Sequence, residues 1–329
     1  MSDPSPESPG RIGSAAARAA RRRSRIRKDR LFVAVCAVAA AVGLLSLLVL
    51  LGTIAVRGWE HLDLDLVTRF ASRHPEHSGF KASLWGTVAV ALVCAAAALP
   101  VGVGTAVLLV EFEPRSRLLQ KLHGFLQLNV PNLAGVPSIV YGIIGLTAFV
   151  QFWNLIGTPS DPAFLWFEGT PFELQLPFGR SVLAGGLTLM LVVLPIVIVA
   201  SQEALRAVPD GLRETALALG ATRWQMVAKV TLPSALPGIM TGSILAMSRA
   251  MGEAAPMLVV AGVVYLSWTP ESLVDDFTVL PLQIFSLARR SNPEFHDVAA
   301  SGILLLLALL LSFNSVAVFI RHRFERRPR

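Results

Sequence analysis

The sequence predicts an all-α integral membrane protein with six transmembrane helices, and three observations carry that prediction. Of the 329 residues, 53% are apolar and only 16% are charged, against about 25% charged in a typical soluble domain. Five windows hold no Asp, Glu, Lys or Arg at all, namely 31–56, 82–110, 124–160, 181–202 and 298–320. Each can supply the ~20 helical residues that a bilayer core requires. Finally, the basic residues segregate. Placing both termini in the cytoplasm puts 21 of the 29 Lys and Arg on the inside and 7 on the outside, with Arg249 left over inside an apolar run. Such a bias fixes orientation and demands an even number of crossings.

Taken in order, residues 1–30 hold nine Lys or Arg against three acids. They read as a disordered basic cytoplasmic tail whose Arg21, Arg22, Arg23, Arg25, Arg27 and Lys28 lie against anionic membrane lipid. The apolar segment that follows, Leu31 to Val56, is about twice the length of a signal-peptide core, so it reads as the first span. The other spans are expected at about 82–110, 124–153, 181–202, 232–262 and 298–320, with a short basic cytoplasmic tail at 321–329. Residues 31–320 then form one transmembrane domain. The fifth span belongs to a run from Val230 to about Leu266 that is interrupted by Arg249 and Glu253. Cys36 and Cys94 both sit in apolar runs and read as small buried residues rather than as a disulfide.

Several chemistries are missing. None of the four lysines, Lys28, Lys81, Lys121 and Lys229, belongs to a phosphate-cradling G-x-x-x-x-G-K-[ST] loop, and the chain has no H-E-x-x-H, G-x-S-x-G or C-x-x-C. The commonest nucleotide, zinc, serine-nucleophile and dithiol sites are therefore absent. His74, Glu76 and His77 read as solvated loop residues around Pro75. No cofactor is expected in this chain, and it is not expected to be an enzyme.

The most informative loop is 203–233, EALRAVPDGLRETALALGATRWQMVAKVTLP. Pro209 suits a first helical position, Glu214 lies near the positive helix start, and Gly220 suits a left-handed stop. Thr222 and Gln225 have capping-box spacing for a second short helix, and Pro233 with Pro237 marks the start of the next span. Leu212, Ala216 and Leu219 share one face, with Trp224 and Val227 available on the second helix, which makes an exposed knob with an apolar side. A linker helix lying flat on the membrane has the same layout.

Arg249 is sixteen residues beyond Pro233, or roughly 24 Å of helix, against a hydrocarbon core of about 30 Å. Glu253, four residues on, shares its face. Ionisable side chains at such depth are costly unless they face a partner or a watery cavity, so the pair is a candidate translocation site. A mutually neutralising pair that only fixes packing would look alike. An Arg suits a tetrahedral oxyanion because its fork donates parallel hydrogen bonds and stays charged. In span three, Pro131, Gly135, Pro137 and Gly142 loosen the helix around Asn132 and Ser138, and irregular backbone is tolerated at membrane depth only when buried in protein or lining a cavity. A kinked structural helix is the other reading.

Three runs extend the argument beyond composition. Glu214-Thr215-Ala216, with Gly220 four residues later and Leu232-Pro233 beyond, resembles the EAA loop of ABC-importer permeases, with Thr in place of the usual Ala at its second position. Ser248-Arg249-Ala250-Met251-Gly252-Glu253-Ala254-Ala255-Pro256 is similar to the R-A-x-G-E-[TA]-A-P run of phosphate importer permeases. Asn132-Leu133-Ala134-Gly135-Val136-Pro137-Ser138-Ile139-Val140-Tyr141-Gly142 looks like their third-span signature. The resemblance covers about 80–320 and points to the A-type subunit.

The resemblance implies a type I ABC importer permease fold with a cytoplasmic coupling-helix loop, in the inner membrane of a bacterium. Glu214, Thr215, Ala216, Gly220, Leu232 and Pro233 are then expected to couple to an ATPase. Arg249, Glu253, Ser138 and Asn132 are expected along the phosphate pathway. The implied partners are a related C-type permease, a dimer of ATPase subunits that bind ATP and Mg, and an extracytoplasmic phosphate-binding protein; no nucleic acid is expected. Alternatives are the same architecture for phosphonate, sulfate or molybdate, a non-transporting scaffold that recruits an ATPase, and an enzyme acting on a phosphorylated lipid.

Overall fold

A computed structural model describes residues 10–112, 114, 116–152, 164–166, 170–171, 173–176, 179–261 and 265–325. Residues 1–9 of the amino-terminal tail, the expected ends of spans three and five at 153 and 262, and the last four residues of the carboxy-terminal tail lie outside these. The chain divides into two units, 1–56 and 57–329.

The described part of the first unit, 10–56, is helical throughout. α1 spans Gly10–Trp59, so it begins inside the stretch expected to be a disordered arm. The difference follows from propensity, because Ala and Arg dominate residues 15–27 and both favour helix. From Leu31 to Leu51 the large apolar side chains stand exposed around α1, as suits a helix whose solvent is lipid. Cys36 is exposed here, contrary to the buried reading, whereas Cys94 is buried.

In the second unit, α2 covers Leu64–Thr68, α3 Lys81–Glu111, α6 Val182–Arg206, α9 Leu232–Met251 and α12 Glu294–Glu325. Five helices of the described residues are long and apolar enough to cross a membrane, and a sixth crossing is made if one bent pair counts as a single span. α3 and α6 pack around Val90, Cys94, Ala98, Val193 and Val197, all essentially inaccessible. Small residues set the distances. A Cβ at Gly102 would come 2.7 Å from Val197 Cγ1, and one at Gly238 would come 2.8 Å from the Ala204 methyl. Gly238 and Gly242 on α9 meet Ala204 and Ala200 on α6, a small-xxx-small contact that lets the two backbones approach.

The third span, expected at 124–153 with a helix loosened or kinked around Asn132 and Ser138, is broken outright. α4, Arg117–Leu133, and α5, Ser138–Gly145, which continues as a π-helical turn over Leu146–Gln151, meet at 115°. Pro137 is the N-cap of α5, and its ring cannot continue a helix from 133. The Tyr141 hydroxyl donates to the Leu133 carbonyl at 2.8 Å, satisfying an orphaned helix end across the break.

The fifth span also differs. One continuous helix runs Arg223–Met251, so α8, Arg223–Met226, is not a separate short helix. Between α8 and α9 the helix widens into a π turn at Val227–Thr231. That turn contains the carbonyl of Lys229, four residues before Pro233, where a proline ring would clash in a regular α-helix. The helix then stops at Gly252, and α10 follows at Ala255–Val260.

One element breaks the all-α expectation. β1, Phe164–Trp166, pairs antiparallel with β2, Leu174–Leu176, with Leu165 opposite Gln175. Residues 265–293, ahead of α12, are also ordered rather than a plain loop. The amides of Val182 and Leu183 donate to Asp275 and Leu273 O, Phe277 fills the space beside Gly185, and α11, Leu280–Ala288, is buried on Leu280, Gln283 and Leu287. Thr87 Oγ1 on α3 accepts from the Leu280 amide at 2.8 Å, and Gln283 Nε2 donates to Gly79 O at 2.9 Å.

Candidate functional site

Two regions hold the residues singled out by the sequence. At one, α5 lies beside α10 through a backbone contact: a Cβ on Gly142 would sit 2.8 Å from Pro256 Cα and 3.0 Å from its carbonyl oxygen. The 132–142 and 248–256 runs are thus joined. Overpacking such a contact costs about 1–3 kcal/mol, so Gly142→Leu is expected to lower the melting temperature of purified protein. Gly104→Leu, where nothing lies within 4 Å of a Cβ, should not. Equal melting of the two variants in one detergent would contradict this contact.

Arg249 is in the last turn of α9, and its Nε donates to Glu253 Oε1 at 3.4 Å. The pairing is the expected one, but the route differs. Glu253 lies past the helix end in the turn that joins α9 to α10, its amide donating to Ala250 O at 3.1 Å, rather than one turn further along the same helix. The Arg249 side chain is 58% exposed and Glu253 18%, so most of the guanidinium's donors face open space. The adjacent Ser248 hydroxyl hydrogen-bonds Asn314 of α12, fixing the end of α9 against the last helix.

Asn132 and Ser138 are not joined to this pair by any hydrogen bond among the described residues. Asn132 donates its amide to Leu128 O one turn back, at 3.1 Å. Ser138 opens α5, half-buried, immediately after the break.

The second region is the 203–233 loop. α7 spans Asp210–Ala218 with Pro209 as its N-cap, one position before the expected first helical place. Glu214 and Thr215 are exposed and Ala216 is half-buried. Gly220 has φ +85°, and the Ala221 amide donates back to Ala216 O at 3.1 Å, so the left-handed stop is present. The Thr222–Gln225 capping box is formed in both directions, at 3.3 and 2.9 Å. Leu212, Leu217, Leu219 and Trp224 expose their apolar surface, Leu219 at 84%. Val227, expected on that surface, is buried, because the π turn carries it into the protein. Leu232 and Pro233 begin α9, half-buried and away from the exposed knob.

Sequence reasoning passed over the residue that anchors this loop. Arg213 on α7 engages all five of its donors. Nε and Nη2 donate to Glu111 Oε1 at 3.3 and 3.0 Å, and Nη2 also to Leu205 O at 2.7 Å. Nη1 donates to Val208 O at 2.7 Å and to Asp210 Oδ1 at 2.9 Å. Arg213 and Glu111 are 16% and 5% exposed. Beside them, the rings of Phe112 and Trp224 lie with centroids 6.4 Å apart. The Asp210–Arg213 spacing is visible in sequence; the Glu111 partner, 102 positions away, is not.

Comparison with known proteins agrees with this architecture. The pattern described as "Binding-protein-dependent transport system inner membrane component" matches residues 98–329. The chain is 29% identical over 301 residues to a probable ABC transporter permease protein, YqgI, of Bacillus subtilis, covering 88% of this chain and 93% of the relative. It is 32% identical over 294 residues to the phosphate transport system permease protein PstA 1 of Mycobacterium tuberculosis, covering 88% and 85%. The phosphate transport system permease protein PstC of Mesorhizobium japonicum matches at 32% over 228 residues, covering 65% and 67%. An inward-facing structure of the MetNI methionine ABC transporter superposes with a TM-score of 0.52 at 21% identity, covering 74% of this chain and 94% of that one; it shares the fold. With the helix order, the broken third span and the loop at 203–233 all in place, the chain belongs to the family of binding-protein-dependent transport system inner membrane components.

Proposed function

We propose that this chain is the A-type permease subunit of an ATP-driven importer that moves inorganic phosphate across the cytoplasmic membrane, with both termini inside. The observation that carries the reading is the Arg249–Glu253 pair at the end of a spanning helix, its guanidinium largely open and its turn leading into the α10 that packs on α5. Relatives named as phosphate transport system permeases match over most of the chain.

Arg249 presents a charged fork to an oxyanion, and Glu253 holds that fork in the empty state. A carboxylate beside the site also accepts a hydrogen bond from the protonated oxygen of phosphate, a group that sulfate lacks at neutral pH. Asn132 and Ser138 flank the broken span on the same pathway. Glu214, Thr215, Ala216 and Gly220 form the knob that docks on the ATPase, with Leu232 and Pro233 passing its movement into α9. ATP and Mg bind that separate subunit, which is present twice; a C-type permease completes the pore, and an extracytoplasmic phosphate-binding protein delivers the anion. Basic residues at both ends lie against anionic lipid.

The test is uptake of labelled phosphate by the reconstituted importer, challenged with excess phosphonate, sulfate or molybdate. Phosphate alone is expected to compete. Equal or stronger competition by another oxyanion would reassign the substrate, and binding of the ATPase without any ATP-dependent uptake would make the chain a scaffold.

A further inference from the structure

We infer that Arg213 is a transmission latch, holding the coupling loop, the end of α3 and the end of α6 together so that they move as one piece. The inference rests on the reading of the 210–225 loop as the ATPase-docking knob and adds how its movement enters the membrane domain.

Three features lead to it. The guanidinium is saturated, and its partners belong to three different segments: Glu111 is the last residue of α3, Leu205 and Val208 supply carbonyls at and just beyond the carboxy-terminal end of α6, and Asp210 is on α7 itself. A cation donating to carbonyls at a helix's carboxy-terminal end is placed where the helix dipole favours it. A second contact spans the same joint, Phe112 just past α3 against Trp224 on α8, so the loop is held to α3 at two points. α3 and α6 share the buried core around Cys94, Ala98 and Val197, and force applied at their ends is borne by the main helix pair of the domain.

The planar fork explains why the residue is Arg. A lysine carries the charge but has three donors for five acceptor contacts. Glu111 is almost fully buried, and Arg213 is its only ionic partner among the described residues. Glu111→Gln keeps an acceptor oxygen but loses the charge, so the guanidinium's tie to α3 weakens while its bonds to α6 and α7 remain.

The importer, with its partner permease, ATPase and binding protein, is reconstituted in vesicles, and phosphate taken up per ATP hydrolysed is measured. Glu111→Gln and Arg213→Lys are each expected to lower that ratio by roughly tenfold, since a single charge-assisted bond is worth about that factor. An unchanged ratio overturns the latch. A second measurement avoids variants of the latch itself. In a Cys36→Ser background, Phe112→Cys with Trp224→Cys is joined by a cleavable bifunctional thiol reagent. If loop and α3 move as one piece, uptake persists after linking. Uptake that stops on linking and returns on cleavage overturns the proposal. The docking reading is checked separately by cross-linking Leu219→Cys to the ATPase. Without that cross-link the docking reading itself falls; with it, an unchanged uptake ratio removes only the latch.

Discussion

Replacing Arg249 by Gln is expected to reduce phosphate uptake by about ten- to a hundredfold, the range that follows from losing hydrogen bonds to a charged group, while the ATPase still co-purifies with the membrane domain. Gln keeps some donors and much of the length but neither the charge nor the fork. Arg249→Lys restores the charge without the paired geometry and should fall between the two. The side chain is 58% exposed and, among the described residues, its one ionic partner is Glu253, at 3.4 Å. Loss of the cation leaves a half-buried carboxylate that, on the proposed pathway, is expected to repel an incoming anion. Glu253→Gln in the Arg249→Gln background removes that repulsion and should recover part of the lost uptake. Unaltered uptake by Arg249→Gln, in cells with no other phosphate importer, would remove this residue from the pathway.

The second large effect is expected at Gly220. Its φ of +85° is a conformation that a β-branched side chain adopts only with strain, of order 1–3 kcal/mol. Nothing lies within 4 Å of a Cβ there, so the penalty of Gly220→Val is one of backbone angle rather than of space. The backbone open to Val is right-handed or extended, and either redirects α8 relative to α7, opening the Ala221 to Ala216 bond and the approach to the capping box. Hydrolysis by the ATPase is then expected to continue while uptake falls severalfold or more. Gly220→Asn, which tolerates the left-handed region better, should be milder. Wild-type uptake coupled to wild-type hydrolysis in Gly220→Val would mean that the turn has no part in coupling.

Much of this architecture is legible from sequence because hydropathy is a property of composition. Charge-free windows mark α3, α6 and α12 without any knowledge of packing, and the Thr222–Gln225 cap and the Gly220 stop are legible because their partners are three to five residues away. What escaped needed distances along the chain or angles. Pro137 announces an interruption but not its 115°, so the sequence shows a loosened or kinked span but not how sharply it turns. Pro233 announces a disturbance, but the π turn that absorbs it keeps the helix unbroken from Arg223 to Met251, so two helices were expected where one exists. Glu111 ends an apolar span and Arg213 sits in a loop; nothing local joins them. Gly238 and Gly242 have a spacing that is plain in the sequence, yet their partners Ala204 and Ala200 become meaningful only once α6 lies alongside.

The unbroken helix from Arg223 to Met251 has a consequence for scale. Trp224, on the exposed knob, and Arg249, beside the open end of the span, are twenty-five positions apart on one rod, roughly 38 Å at 1.5 Å per residue. A rod of that length turns one degree of tilt about its far end into about 0.7 Å of displacement at the other. A rotation of four or five degrees, pivoting near the Gly238–Ala204 contact or at the Trp224 end, displaces Arg249 by about 1–3 Å, enough to make or break a hydrogen bond there. On the proposed function, small angular changes at the docking loop would be commensurate with the grip and release of a single anion.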